Sequence, residues 1–270
     1  MEYNREYFRG KTAVVTGAAS GIGLALVEEL LKSNADKVAM ADINMDNLKK
    51  HETRLREQYG RRVKGIVCNV TIEEDVHNMI NQSTDFFGGR FDLLFNNAGA
   101  GFAGAFADMT NEDWKIALDL NFFSALYGMR AALPIMVKQG GGQIINIISG
   151  VAFIPMAYQT RYAATKAALN GLSLALRSEY WDENIKISSA TPGTTATGIW
   201  GDNEIPKTAQ TSQQSASRIL NGVVNNDRLI LGDDGDVDGA INCFNPLKEE
   251  RLDQYLLNVA RERRSGNVGF

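Results

Sequence analysis

The chain has 270 residues, 44% hydrophobic and 22% charged, a composition typical of a soluble globular protein with a full core. Its net charge of −4 and pI near 5.4 argue against nucleic acid or an anionic membrane as a partner. Cys68 and Cys243 lie far apart, so neither a disulfide scaffold nor a metal site is expected. The polar N-terminus is unlike a secretory signal, and no apolar run approaches the roughly 20 residues of a membrane helix. We therefore expect a cytoplasmic protein.

Short apolar runs alternate with helical patterns along the chain. Predicted strands cover residues 12–16, 37–41, 63–68, 91–95, 143–148, 185–190 and 229–231. Predicted helices cover residues 24–33, 46–59, a segment that opens near residue 71, 111–137, 161–181, 215–224 and 248–263. Such alternation is typical of right-handed βαβ units. We predict an α/β fold in which residues 1–270 form a single-domain doubly wound parallel sheet, Rossmann-like, with helices on both faces.

Three glycines lie between the first predicted strand and the first predicted helix, at Gly17, Gly21 and Gly23. Glycines there permit a tight turn and close approach of the backbone to a pyrophosphate, beside the free N–H groups of a helix N-terminus. An ordinary strand–helix turn can carry the same residues. The strand, turn and helix are all predicted here, which favours a dinucleotide site.

Asp42 ends the second predicted strand, 19 residues after Gly23. An acid about 20 residues beyond the glycines hydrogen-bonds the ribose hydroxyls of NAD. The same charge repels the 2′-phosphate of NADP, and Ser20, just before Gly21, offers no positive charge to it. Both features favour NAD, although a surface acid that caps a strand–helix turn would look the same.

Tyr162 and Lys166 lie four residues apart on a predicted helix, so they share one face about one turn apart. An ammonium near a phenol favours the phenolate and lowers the pKa of the tyrosine. A tyrosine tuned in this way can give or take a proton. Ser149 ends the preceding strand and could hold an oxygen beside the phenol. Taken alone, each of these residues is more often explained by surface packing or a turn than by catalysis.

Together, several motifs resemble the short-chain dehydrogenase/reductase family over about residues 8 to 198: Thr16-Gly17-x-x-x-Gly21-x-Gly23, Asn96-Asn97-Ala98-Gly99, Asn121, Ser149, Tyr162-x-x-x-Lys166 and Pro192-Gly193. Ser149 lies 13 residues before Tyr162, which is the spacing of that family. The resemblance implies hydride transfer between NAD and a secondary alcohol or ketone. It also implies a catalytic tetrad of Asn121, Ser149, Tyr162 and Lys166.

In that tetrad Tyr162 would be the acid or base, and Lys166 would anchor the nicotinamide ribose. Asn121 would hold a water that relays the proton. The resemblance also implies cofactor-binding positions at Gly17, Ser20, Gly21, Ile22, Gly23, Asp42, Ile43, Asn69, Val70, Asn97, Ala98, Gly99, Tyr162, Lys166, Pro192, Gly193, Thr195 and Thr197. The family usually has aspartate where this chain has Asn69, but an asparagine carbonyl can still accept the adenine amino group.

The substrate side is less defined. Residues 194–215 are polar and poorly periodic, and we predict that they form a mobile segment covering the substrate. The candidate substrate residues are Ser149, Val151, Phe153, Gln159, Tyr162 and Trp200. They are mostly apolar, and no arginine or lysine is offered to a phosphate or carboxylate. We therefore expect a small hydrophobic alcohol or ketone.

The tail from residue 229 differs from the family's common ending, so the substrate and the quaternary structure stay open. The family usually forms dimers or tetramers through the helices predicted at 111–137 and 161–181, so we expect a homodimer or homotetramer. Residues 234–239 match the start of an EF-hand loop. The twelfth position holds Asn245, which cannot supply the required carboxylate, so an acidic surface turn without a metal is expected.

Two alternatives remain. An NADP-dependent ketone reductase would differ mainly in how Asp42 meets the cofactor. A non-catalytic dinucleotide-binding scaffold would normally have lost part of the tetrad, whereas this chain has all four residues.

Overall fold

A computed structural model describes residues 3–201 and 204–265, without the side chain of Glu249. Within these residues, seven parallel strands form one sheet in the order β3-β2-β1-β4-β5-β6-β7. The strands are β1 (Thr12–Thr16), β2 (Lys37–Asp42), β3 (Val63–Val67), β4 (Leu93–Asn96), β5 (Gly142–Ile147), β6 (Ile185–Ala190) and β7 (Leu229–Ile230). The predicted doubly wound parallel sheet is confirmed, and β1 and β6 have the predicted bounds.

Nine α-helices accompany the sheet in the described part of the chain. They are α1 (Gly21–Lys32), α2 (Met45–Tyr59), α3 (Glu73–Phe87), α4 (Asn111–Leu118), α5 (Ser124–Lys138), α6 (Thr160–Glu179), α7 (Ser212–Asn225), α8 (Asp234–Asn242) and α9 (Glu249–Arg264). Helices α1, α2 and α7 pack on one face of the sheet, and α3, α5 and α6 pack on the other. The central strands are therefore buried on both faces, which explains why their sequences read as continuous apolar runs.

The strand order reverses between β1 and β4, so a crevice opens at the carboxyl ends of these two strands. In open parallel sheets this switch point is where ligands bind. The chain brings the glycine turn after β1, Asp42 at the end of β2 and Asn97 after β4 to this edge. Ser149 after β5 and Pro192 after β6 reach the same edge. The topology thus gathers residues that lie far apart in sequence.

The helix predicted at 111–137 is interrupted. A π-helical turn, Asp119–Phe123, separates α4 from α5 and carries Asn121. Such turns are often found at functional sites. The whole stretch Asn111–Lys138 is long and apolar enough to pass a membrane-span test, with a mean hydropathy of 1.3. Half of its most apolar window is buried, and it packs against α3 and α6, as expected of a core helix in a soluble fold.

The acidic stretch at 234–239 was expected to be a surface turn, and this prediction is wrong. It forms the start of α8, whose N-cap Asp233 accepts a hydrogen bond from the backbone N–H of Asp236 (2.9 Å). An N-cap aspartate satisfies one of the free N–H groups of the first turn and so stabilises a helix despite its glycines. Among the described residues, no group of three or more His, Cys, Asp or Glu could hold a metal.

Candidate functional site

The turn between β1 and α1 has the geometry that a phosphate cradle needs. Gly17 has φ +64°, a conformation that favours glycine, and a Cβ on Gly23 would overlap the carbonyl oxygen of Gly17. Ser20 is the N-cap of α1, is exposed and makes no side-chain cap bond. The first N–H groups of α1 therefore face outward without a side-chain cap, as anion binding at a helix N-terminus requires.

Residues after β4 hold this turn in place. The Asn97 Nδ2 donates to the Thr16 carbonyl oxygen (2.9 Å), and the Thr16 Oγ1 accepts from the backbone N–H groups of Asn97 and Ala98 (3.0 Å each). A rigid turn loses little conformational entropy when it binds a ligand.

The Asp42 carboxylate is fixed by two backbone amides. Its Oδ2 accepts from the Ala19 N–H and its Oδ1 from the Asn44 N–H, both at 2.9 Å. At the neighbouring strand end, the Asn69 Oδ1 accepts from the backbone N–H (3.1 Å) and hydroxyl (2.8 Å) of Thr71. The Asn69 carbonyl is thus already engaged, and an adenine amino group would have to share it with Thr71.

A cavity of about 720 Å³ lies along these strand ends. Its lining includes both Asp42, at the end of β2, and Lys166, on α6, and its glycine cradle suits a pyrophosphate. Of the predicted cofactor positions, the following line it: Gly17, Ser20, Gly21, Ile22, Gly23, Asp42, Ile43, Asn69, Val70, Asn97, Ala98, Gly99, Tyr162, Lys166, Pro192 and Thr197. Gly193 and Thr195 do not; they line a second cavity.

Tyr162 and Lys166 lie on α6 at the inner end of the first cavity and are 5% and 4% exposed. The phenol of Tyr162 hydrogen-bonds to the hydroxyl of Ser149. The Lys166 Nζ donates to the Ile147 carbonyl oxygen (2.9 Å), at the end of β5. The end of β5 and the first turns of α6 therefore bring the serine, tyrosine and lysine together.

Burial, rather than the lysine, dominates the protonation of this tyrosine. Burial raises the pKa of Tyr162, the hydrogen bond from Ser149 partly offsets this, and the charge of Asp236 raises it further. The Lys166 Nζ is 6.0 Å from the centre of the tyrosine ring, and burial lowers the pKa of Lys166 to about 8. The expectation that Lys166 lowers the pKa of Tyr162 is therefore corrected for this structure, because Lys166 directs its ammonium at Ile147 instead.

Asn121 is buried behind the same centre. Its Nδ2 donates to the Ala100 carbonyl oxygen (2.9 Å), and its Oδ1 accepts from the Ala100 N–H (3.0 Å). A Cβ on Gly99 would lie 2.8 Å from the Asn121 Oδ1 and 3.2 Å from the Lys166 Nζ, so the two side chains meet at this glycine. The side chain of Asn121 thus braces the loop after β4 next to the lysine.

The second cavity, of about 630 Å³, is also lined by Tyr162. Of the predicted substrate residues, it is lined by Ser149, Val151, Gln159, Tyr162 and Trp200. Phe153 does not line it. After the short helical turn Gly150–Ala152 the chain runs inward, and Phe153 is buried in the core, with its Cβ 3.8 Å from where a Cβ on Gly239 of α8 would lie.

Described residues between 194 and 208 also line this cavity: Thr194, Thr195, Thr197, Ile199, Trp200, Pro206 and Thr208. The Trp200 Nε1 donates to the Thr195 carbonyl oxygen (2.8 Å), and the Gln210 Nε2 donates to the Pro192 carbonyl oxygen (2.6 Å). Thr195 and Gln210 also form an isolated parallel bridge. Residues 202 and 203 of the segment predicted to cover the substrate lie outside the described residues.

The tail completes the second cavity, which motif-based reasoning missed. Helices α8 and α9, with the loop before α8, contribute Asp233, Gly235, Asp236, Tyr255, Val259, Glu262 and Arg263. The spacing of 255, 259, 262 and 263 is that of one helix face, and this periodicity was the available signal. The spacing indicated that this face of α9 is buried, but not which part of the protein covers it.

Arg263 overturns the expectation that no arginine reaches the substrate side. It is 7% exposed, and its Nη1 donates to the Ala157 carbonyl oxygen (2.7 Å). Within the described part of the chain Arg263 forms no ion pair, and burial lowers its pKa. Arg161, beside the Tyr162 motif, pairs instead with Asp113 (2.8 Å) and stacks over Phe102.

Comparison with known proteins gives a consistent result. Residues 11–207 match the family model for short chain dehydrogenases. An uncharacterized oxidoreductase of Staphylococcus aureus strain MRSA252 is 36% identical over 189 residues, which cover 70% of this chain and 80% of the relative. An uncharacterized oxidoreductase of Staphylococcus epidermidis is 33% identical over 186 residues, which cover 68% of this chain and 77% of the relative.

Solved structures share the fold. A short chain dehydrogenase/reductase from Burkholderia phymatum in complex with NAD aligns with a TM-score of 0.77 and 23% identity, covering 91% of this chain and 92% of the other. L-sorbose reductase from Gluconobacter frateurii, complexed with NADPH and L-sorbose, aligns with a TM-score of 0.76 and 28% identity. That alignment covers 84% of this chain and 96% of the reductase.

Proposed function

This chain belongs to the short-chain dehydrogenase/reductase family of oxidoreductases, and we propose that it transfers a hydride between NAD(H) and a secondary alcohol or ketone. The observation that carries the proposal is the position of Tyr162. It lines both cavities, so one phenol faces the place for a dinucleotide and the place for a substrate. Ser149 hydrogen-bonds to that phenol, and Lys166 lies one helical turn away.

The nicotinamide, when bound, supplies the hydride acceptor or donor. In our proposal the substrate oxygen sits between the Ser149 hydroxyl and the Tyr162 phenol. Tyr162 gives a proton to a ketone oxygen or takes one from an alcohol. Lys166 holds the ribose and passes protons toward solvent, and Asn121 keeps the loop at Ala100 beside it. The glycine turn and Asp42 hold the pyrophosphate and the adenosine ribose.

Ketone reduction and alcohol oxidation require different protonation states of Tyr162. Burial raises the pKa of Tyr162, so at neutral pH the phenol keeps its proton and is ready to donate it to a ketone. Alcohol oxidation first requires loss of that proton. Oxidation should therefore speed up with rising pH, whereas reduction should not.

NAD is the proposed cofactor because the Asp42 carboxylate is fixed by two amides at the cavity wall, where a 2′-phosphate would meet its negative charge. The competing hypothesis, an NADP-dependent ketone reductase, is supported by the NADPH complex of L-sorbose reductase, which is 28% identical to this chain. A direct titration of both cofactors by protein fluorescence separates the two. Tighter binding of NADP than of NAD would overturn our choice.

We further propose that the chain forms one domain in which residues 194–215 cover the substrate. The proposed substrate has a hydrophobic part, which would pack against Val151, Ile199 and Trp200 of the second cavity. By analogy with the family, the protein would act in the cytoplasm as a homodimer or homotetramer through α5 and α6.

The decisive experiment is an NAD-linked screen of hydrophobic secondary alcohols and ketones, followed by NADP on the same panel. Turnover of at least one pair, lost in Tyr162→Phe, supports the proposal. Binding of NAD without turnover of any alcohol or ketone would instead favour a non-catalytic dinucleotide-binding scaffold.

A further inference from the structure

Helix α8 places an acid beside the reaction centre. Asp236 is 9% exposed and lines the substrate cavity together with Ser149 and Tyr162. Its carboxylate is close to Gly150, the residue after Ser149, because a Cβ on Gly150 would overlap the Asp236 Oδ1. The charge of Asp236 also acts on Tyr162, whose pKa it raises. This acid therefore lies within electrostatic range of the reacting phenol.

The second oxygen of this carboxylate, Oδ2, has no hydrogen bond of regular geometry with the described residues, although the Thr191 hydroxyl and the amides of Gly193 and Gly232 are near enough to lower the pKa of the carboxyl group. The Asp236 Oδ2 is buried. Buried polar atoms are almost always hydrogen-bonded, because an unsatisfied one loses its interaction with water without compensation. The Asp236 side chain lines the substrate cavity, and its incomplete hydrogen bonding leaves the carboxylate able to accept from a donor that arrives with the substrate.

The cap of α8 is supplied by Asp233 and not by Asp236. Asp233 caps α8 by accepting from the Asp236 N–H (2.9 Å) and also accepts from the Thr194 N–H (2.8 Å). No basic side chain of the described residues forms an ion pair with Asp236. Arg263 of α9, a basic residue that lines this cavity, donates to the Ala157 carbonyl oxygen.

The carboxylate is present at neutral pH. Burial raises the pKa of Asp236 to about 6, while the Thr191 hydroxyl and the backbone amides of Gly232 and Gly193 partly offset the effect. A carboxylate here raises the pKa of Tyr162, so it hinders loss of the phenol proton and does not serve as a second base. A role in binding accounts for its position better than a role in proton transfer.

We propose that Asp236 is a specificity-determining residue that accepts a hydrogen bond from a second hydroxyl of the substrate, one or two carbons from the reacting carbon. The substrates are then hydrophobic 1,2- or 1,3-diols and the matching hydroxyketones, rather than simple alcohols. The inference rests on the proposed alcohol–ketone oxidoreductase function and narrows its substrate class.

The test compares matched substrates: octane-1,2-diol with octan-2-ol, and octane-1,3-diol with octan-3-ol, with product analysis to identify the oxidised carbon. The measured quantity is the ratio of kcat/KM for diol over mono-alcohol. Hydrogen bonds to charged groups are strong, so the wild-type ratio should be about tenfold or more for at least one pair. Asp236→Asn keeps one acceptor oxygen and should lower the ratio. Asp236→Ala should bring it close to one.

Asp234→Ser is the matched control, because Asp234 is an exposed acid on the same helix and the change removes the same charge. Its ratio should equal that of the wild type. If Asp236→Ala does not fold, the Asn variant decides. Equal ratios in wild type and Asp236→Asn, or a preference of the wild type for 1-aminooctan-2-ol over the diol, would overturn the proposal. Absence of turnover on every alcohol and ketone, with either cofactor, would instead defeat the proposed function.

Discussion

The cofactor cavity and the substrate cavity meet at Tyr162, but different parts of the chain form them. The cofactor side consists of strand ends and short turns, and backbone groups make most of its contacts: the amides that hold Asp42 and the turn braced by Asn97. The substrate side is assembled from side chains of the loop after β5, the segment 194–210 and the tail helices α8 and α9.

This difference indicates which part of the protein can accept substitutions. A backbone cradle tolerates only glycine at Gly23 and accepts any dinucleotide of the right shape, so it serves many enzymes alike. Side chains on the tail can be exchanged without disturbing the sheet. The tail should therefore set which alcohol reacts, and the strand ends should set which cofactor reacts with it. Four measurements test whether the choice of alcohol and the choice of cofactor are controlled separately.

The largest effect should come from the residue shared by both sides. Tyr162→Phe removes the group that exchanges the proton, and general acid–base catalysis contributes roughly 10²- to 10⁴-fold. We expect kcat to fall by about that factor while NAD binding, measured by fluorescence, changes little. Tyr180→Phe, at the C-terminal end of α6, is the control and should keep wild-type rates. A Tyr162→Phe enzyme with near-normal turnover would remove Tyr162 from the mechanism.

The next effect is the pH dependence of the same residue. Because the pKa of Tyr162 is raised, the phenolate is a small fraction at neutral pH, and that fraction grows about tenfold per pH unit below the pKa. The kcat/KM for alcohol oxidation should therefore rise about 100-fold between pH 6 and pH 8.

Asp236→Asn sharpens this measurement. Since the Asp236 carboxylate raises the pKa of Tyr162, its removal should shift the rise in oxidation to lower pH. A profile that is flat in the wild type, or one that moves to higher pH in Asp236→Asn, would contradict the assignment of Tyr162 as the titrating group.

On the cofactor side, Asp42→Ala should change the choice of dinucleotide but not the preference among alcohols. The variant loses a charged acceptor for the ribose hydroxyls and the repulsion of a 2′-phosphate, so the ratio of the Kd for NADP to that for NAD should fall about tenfold or more. Asp46→Ala removes an exposed acid from the first turn of α2 and is the control. A change in the preference among alcohols in Asp42→Ala would show that the two cavities are not independent.

The contrast also decides what could be predicted from the sequence. The strands, the glycine turn and Asp42 were predictable because each depends on local pattern: apolar runs, conformational freedom and spacing along one βαβ unit. Tyr162 and Lys166 were predictable as neighbours because a helix fixes residues four apart on one face.

Other features depend on contacts between distant segments. The neighbouring lysine alone predicted a lowered pKa for Tyr162. Burial, which follows from packing, raises that pKa instead. Asp236 lay in a stretch that was expected to be a surface turn, because residues 234–239 match only the start of an EF-hand loop. The cap from Asp233 and the packing of Gly239 against Ile154 stabilise α8 instead. Neither contact is visible in the sequence pattern.

The smallest effect tests whether the tail belongs to the substrate side alone. Arg263→Met removes the hydrogen bond from α9 to the Ala157 carbonyl oxygen while keeping much of the buried side-chain volume. We expect a loss of about 1–3 kcal/mol in the contact between α9 and the loop after β5, seen as a lower Tm and a raised KM for the alcohol. Arg264→Met changes an exposed arginine on the same helix and should leave both unchanged. The Kd for NAD should be the same in all three proteins, because no residue of α9 lines the cofactor cavity in the described part of the chain. If Arg263→Met weakened NAD binding as much as alcohol binding, the tail would act on the whole site, and the division of labour between backbone cradle and tail helices would be wrong.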